Sequence, residues 1–276
     1  MYRTVNLLND TIDLMPESIK NETEFVELLV GVNKGNVEDV FKQIGENNIK
    51  NACEIINFSV EIRPLEVESF LTLIYLISSK FGVDKLPNFS DYFRSLLITR
   101  GILLRTNNEE EYNKQFTEFA TGSIEEAIRE DDAEQFCEII SDPSFNAKNS
   151  INFSSANGRY SLMKKCESYM QLISFFGAVN CFRQAIMNDA FDLDDISEYA
   201  IAGGSNEIVR ILEQKGISFD NCFKVGVKFH RMDLCDWLLM HTKYESITLS
   251  LSLEYFNYPA FFFTVNKEMT FDDALI

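Results

Sequence analysis

The feature that most limits how this chain can fold is a step of 26 to 27 residues through its C-terminal half. The step is clearest from Ser197 to Gly216. Two short apolar segments occur there, Tyr199-Ala200-Ile201-Ala202 and Ile208-Val209-x-Ile211-Leu212, separated by Gly203-Gly204-Ser205-Asn206. Apolar residues at 208, 209, 211 and 212 fall on one stripe of a helix. Gly204 suits a left-handed turn, and Asn206 is the expected N-cap of the second segment. The stretch therefore reads as a helix-turn-helix pair with one apolar side, too small to bury that side alone. Moving 26 residues on places His230 at the hinge and Arg231-Met232-Asp233-Leu234-Cys235-Asp236-Trp237-Leu238 along the second helix. A further 26 reaches Phe256, with Pro259 in a first helical turn, where proline costs no hydrogen bond. Stepping back 27 reaches Gly177, and Ile124 to Ile140 has the same form with Asp131 at its hinge. A fixed period of this kind marks a stacked repeat array.

The run Ala200-x-Ala202-Gly203-Gly204-Ser205-Asn206-Glu207-Ile208-Val209-Arg210-x-Leu212-(x)3-Gly216 resembles the helical core of an ankyrin repeat. The segments Ser174 to Arg183 and Glu254 to Phe261 are similar to a divergent, uncharacterised ankyrin-type family expanded in protist parasites. Ile62-Arg63-Pro64 and the helix after it resemble the leader of those repeats. The Thr-Pro-Leu-His signature of ordinary ankyrin repeats is absent, and the step is shorter than the usual ankyrin period of about 33. The expectation is an all-α chain: an N-terminal helical domain over 1–122, then an ankyrin-like helix-turn-helix solenoid with shortened hairpins over 123–276.

In the N-terminal part, the pattern predicts helices over Phe25 to Ile44, Ile49 to Ile56, Pro64 to Phe81 and Tyr92 to Leu104. A further helix is expected over Glu110 to Thr121, with the domain junction near 106–122. Gly35-Asn36-Val37-Glu38-Asp39-Val40 echoes the Gly204 hinge and reads equally as a degenerate repeat or a chance helical hairpin. At the other end, Phe271 to Ile276 resembles the opening of one more first helix.

With 43 acidic and 25 basic residues the formal charge is −18. Such a surface repels nucleic acid and anionic membranes and favours partners with basic surfaces. Cys53, Cys137, Cys166, Cys181, Cys222 and Cys235 have no paired spacing, as suits small buried apolar groups in a reducing compartment. No run approaches about 18 uncharged apolar residues, and the start lacks a basic-then-apolar signal pattern, so a soluble cytoplasmic protein is expected.

Little in the sequence points to catalysis. His230 and His241 are the only histidines, and their separation builds no two-His metal site on one helix face. No nucleophile elbow or phosphate-binding Gly-rich loop occurs, and the Asp189 to Asp195 cluster lacks the Gly and terminal Glu of an EF-hand. No cofactor, metal or catalytic residue is expected. The function expected is that of a non-enzymatic protein-protein interaction scaffold. As the resemblance implies, its contacts would come from inter-repeat loops and exposed parts of each first helix. The candidate residues are Asp192, Asp194, Asp195, Ser218, Asp220, Asn221, Lys243, Tyr244 and Glu245. Two alternatives stand beside it: self-assembly through the C-terminal repeat, and an enzyme with an unfamiliar site in the N-terminal helices.

Overall fold

A computed structural model describes residues 11–104, 119–147, 151, 162–188, 191–243 and 247–273. Among them all regular structure is helical, and the C-terminal half is a series of helix pairs. These are α6 (Ile124–Arg129) with α7 (Ala133–Ile140), α8 (Tyr169–Phe176) with α9 (Val179–Ala185), and α10 (Ser197–Gly203) with α11 (Asn206–Gln214). Next come α12 (Phe223–Lys228) with α13 (Met232–His241) and α14 (Leu249–Glu254) with α15 (Tyr258–Asp273). First helices stack on first helices, α6 on α8 on α10 on α12, while α7, α9 and α11 form a second row. Most of these helices run 6 to 10 residues, short of the dozen or so that an isolated helix needs in water. Their stability comes from the stacked apolar sides, where Leu172, Ile201, Ile208, Leu212, Val227 and Leu238 are fully buried at about 1.5–3 kcal/mol each.

A left-handed residue joins each of these pairs, and at four of the five the turn closes with the same hydrogen bond, Gly204 closing instead through its own N–H to the Ala200 carbonyl. Asp131, Gly177, Gly204, His230 and Phe256 all have positive φ, at 53°, 65°, 77°, 51° and 54°. The residue after the hinge turns its N–H back to a carbonyl five positions earlier: Asp132 to Ala127, Ala178 to Ile173, Arg231 to Gly226 and Asn257 to Ser252. That bond ends the first helix in a Schellman turn and aims the chain into the second. The positions spaced at 26 and 27 are thus equivalent in conformation as well as in sequence. Phe256 is the costly one, since a left-handed bulky residue carries about 1–2 kcal/mol of strain. Its ring rests 5.7 Å from Phe58, and the adjacent Asn257 caps Ala260.

Neighbouring pairs are tied by the residue that follows the hinge. Arg231 Nε donates to the Ala202 carbonyl at 2.9 Å, and Asn257 Nδ2 to the Val227 carbonyl at 2.9 Å. Asp131 works in the other direction. Its carboxylate accepts from the Asn180 and Cys181 N–H groups at 3.2 and 2.9 Å, holding the first turn of α9. Gly203 marks the tightest approach, because a Cβ there would fall 1.9 Å from the Ser174 carbonyl oxygen.

The N-terminal part comprises α1 (Glu17–Val30), α2 (Val37–Lys42), α3 (Ile49–Ile62), α4 (Val67–Phe81) and α5 (Asp91–Thr99). Phe70, Leu71, Ile74 and Ile77 face inward along α4 as the spacing predicts. Several expectations need correction. The N-cap of α11 is Ser205, whose hydroxyl accepts from the Ile208 N–H at 3.3 Å, and Asn206 is the first helical residue. Serine one position earlier reaches the N3 N–H, so no cap is left for Asn206 to form. Gly35 has no left-handed backbone; instead a six-residue loop, 31–36, is closed by cross-bonds of the Asn33 and Asn36 side chains, so the echo of the repeat hinge is not a repeat hinge. Helix α3 extends six residues beyond Ile56, and α5 ends at Thr99 rather than Leu104. Phe271 to Asp273 continue α15 instead of opening a new helix, since no glycine or proline interrupts the run after Pro259. The helix expected over Glu110 to Thr121, and the junction near it, fall largely outside the described residues.

Replacing Gly203 by alanine is expected to cost about 1–3 kcal/mol through the clash with Ser174. The Ser205→Ala change should cost about 1 kcal/mol through the lost cap. Urea denaturation followed by circular dichroism measures both, and Gly203→Ala should be the more damaging.

Candidate functional site

The stacked pairs present two edges. One carries the hinges, the other the loops that lead from each pair to the next. Around His230 and Phe256 the hinge edge is covered by the N-terminal helices. His230 is buried there, with Nδ1 3.0 Å from the Glu27 carboxylate on α1 and Nε2 2.7 Å from the Tyr255 carbonyl. Phe58 on α3 stacks on Tyr255 at 5.9 Å and lies 5.9 Å from the His230 ring. Both parts of the chain share one buried apolar cluster. His230 is thus both a hinge and one of the ties between the two parts.

The loop edge holds the candidate residues. Asp192, Asp194, Asp195, Ser218, Asp220, Asn221 and Lys243 are all exposed, while Tyr244 and Glu245 lie outside the described residues. The loops share a register. Asp192 and Ser218, Asp194 and Asp220, and Asp195 and Asn221 are each 26 apart, so the same three places project from successive units. Beside them, Ile196 and Cys222 turn inward at 1% exposure, and Phe219, at 3%, meets Trp237 edge-on at 5.4 Å. Alternation of inward anchors with outward polar residues is what fixes these loops.

Hydrogen bonds link the loops. Gln171 Nε2 donates to the Asp194 carbonyl at 3.3 Å, and the same side chain completes a capping box with Ser168 at the start of α8. The Ser218 hydroxyl accepts from the Asp220 N–H at 3.2 Å, and the Asp220 carboxylate accepts from the Lys243 N–H at 3.4 Å. The structure thus brings Ser218, Asp220 and Lys243 together and sets the aspartates of 192–195 one unit away. Asp192 beside Asp194 holds the Asp194 carboxyl above the usual carboxylate range, chiefly by like-charge repulsion. The edge is therefore acidic in local detail as well as in the overall balance of charge.

Two of the candidates have a backbone role that the sequence reading missed. Asp195 and Asn221 adopt left-handed conformations, at φ 49° and 67°, nine residues ahead of the Gly204 and His230 hinges. Gly122 stands nine ahead of Asp131 with φ 81°. Aspartate and asparagine tolerate this region better than other side chains do, and their recurrence nine residues before a hinge was the available signal.

Elsewhere, burial accounts for the cysteines. It pushes the Cys53 and Cys181 thiols up to about 12, and raises Cys166 and Cys235 as well, so these groups stay protonated at neutral pH. Trp237 is half-buried, stacked 5.0 Å from the exposed His241 ring. No group of three or more His, Cys, Asp or Glu side chains is placed to hold a metal ion among the described residues. No helix among them is long and apolar enough to cross a membrane.

Residues 193–264 match the profile of a domain of unknown function, DUF3447. That domain is found in ankyrin-repeat-containing proteins. The matched span runs from the loop before α10 into α15 and so contains the Gly204, His230 and Phe256 hinges at their regular step. No curated protein and no solved structure matches the chain.

Asp195→Gly and Asn221→Gly are expected to leave stability unchanged or slightly raised. Asp195→Ala and Asn221→Ala should each lose about 1 kcal/mol to the left-handed backbone. Thermal melts of the four variants distinguish this backbone role from a purely surface one, for which alanine and glycine would behave alike.

Proposed function

We propose that this protein is a non-enzymatic binding scaffold of ankyrin-like repeats, and that its loop edge takes a protein partner through basic side chains. The observation that carries the reading is the common register of Asp192/Ser218, Asp194/Asp220 and Asp195/Asn221 on an edge left open while the N-terminal helices occupy the other. A surface ordered before the partner arrives loses little conformational entropy on binding. Four aspartates against Lys243 make the described part of that surface acidic, which favours a basic partner and accelerates its encounter. The match to a domain found in ankyrin-repeat-containing proteins supports the same reading.

The test is affinity capture from the native cell with the whole chain and with a variant carrying Asp192→Lys, Asp194→Lys and Asp220→Lys. These positions are exposed, so the variant should melt within a few degrees of the parent. The wild-type chain is expected to retain partners that elute as ionic strength rises past about 0.15 M, where the Debye length is near 8 Å. The reversed chain should lose them. An unchanged set of captured partners removes the loop edge from consideration.

A further inference from the structure

The residues just before four of the left-handed hinges are Phe176, Gly203, Phe229 and Tyr255. Three are aromatic, and the fourth has no side chain. Where this row is interrupted, a cavity of about 220 Å³ opens between the array and the junction of α3 with α4. Phe175, Phe229 and Arg231 line it from the array, and Arg63, Leu65 and Glu66 from the junction.

Its two cations are unusual in their surroundings. Arg63 Nη1 is buried without a hydrogen-bond partner. Burial holds the Arg63 guanidinium below its ordinary range even though Glu27 and Glu66 pull the other way. Arg231 spends its Nε on the Ala202 carbonyl and is depressed to about 9, first by burial and then by the charge of Arg63. Neither guanidinium forms an ion pair among the described residues. Two guanidiniums and one carboxylate among the lining residues leave a net positive charge, and the buried donor without a partner favours an anionic acceptor that can reach it.

The remaining chemistry narrows the anion. Guanidinium forks match a planar carboxylate. The Glu66 carboxylate lies on the same wall, accepting from the Ser69 hydroxyl at 3.1 Å, and its charge disfavours a dianion. Phe175, Phe229 and Leu65 call for an apolar body. A dry cavity of about 150 Å³ is enough to hold benzene, so this one has room for a ring and a carboxylate.

We propose that the cavity binds a small monocarboxylate with an aromatic or aliphatic body, its charge shared by Arg63 and Arg231 and its body against Phe175 and Phe229. This site is on the hinge edge and is independent of the loop edge proposed above to bind a protein.

The test uses the full chain with phenylacetate, followed by titration calorimetry and saturation-transfer NMR. Saturable binding is expected with a Kd of about 1 mM, in keeping with so small a ligand. Phenylacetamide, of the same shape without the charge, and inorganic phosphate should each bind at least about tenfold more weakly, a difference of about 1.4 kcal/mol. Arg63→Gln should weaken phenylacetate by a similar factor while melting within a few degrees of the parent, because no direct ion pair is broken and the loss of attraction to Glu27 and Glu66 is set against relief of a buried charge. Leu65→Trp, at a half-exposed position on the rim, should block the ligand without touching either arginine. No saturable binding of phenylacetate to the wild-type chain, equal binding of phenylacetamide or phosphate, or full binding by the Leu65→Trp protein would each overturn the proposal.

Discussion

Short helices cannot stand alone, and the whole C-terminal half rests on how closely they stack. The limiting contact is backbone to backbone, where Gly203 faces the Ser174 carbonyl with no room for a methyl group. Around it, first helices meet through Ala200, Ile201 and Ala202, small or slender residues fully buried between neighbours. Repeated stacking of this kind makes stability a sum over adjacent pairs. It also requires each pair to turn in the same way. Five left-handed hinges do this, and only two of them are glycine. The strain at Asp131, His230 and Phe256 is offset by contacts each makes with another element: Asp131 with α9, His230 with α1, and Phe256 with α3.

Those contacts give the two edges different fates. At the hinge edge, the left-handed residues His230 and Phe256 face the N-terminal helices, where Glu27 and Phe58 meet them. At the loop edge, the inward anchors Ile196, Phe219 and Cys222 leave their polar neighbours facing water. The same 26-residue step thus produces a covered edge and an open one. The open edge gathers negative charge, whereas the covered edge encloses two arginines, so the overall charge of −18 describes the outer surface better than the interior.

The cysteines and histidines show how environment decides chemistry. Thiols on the stacked sides are held protonated by burial, and Cys181 also sits beside the Asp131 carboxylate. The imidazole of His230 is fixed between a carboxylate and a carbonyl from two distant parts of the chain, while His241 at the end of α13 only closes back on the Trp237 carbonyl at 2.8 Å. Neither histidine resembles the other in surroundings, although both belong to the same helix pair.

What the sequence determined by itself was the periodic part. Helix pairs, their hinges at 131, 177, 204, 230 and 256, and the exposed inter-repeat loops all follow from local propensity and a fixed spacing, which short-range sterics translate directly into backbone shape. Local signals were ambiguous where two neighbouring residues could do one job, as with Ser205 and Asn206 at the N-cap, or where a Gly-Asn pair at 35–36 imitated a hinge. Only the tertiary structure decided what packs across the chain. That Glu27 and Phe58 would meet His230, or that Arg63 and Arg231 would line one cavity, depends on contacts between residues some 170 to 200 positions apart. No periodicity encodes such pairs; they arise because the N-terminal helices and the hinge edge each have an apolar side that water disfavours, and each covers the other.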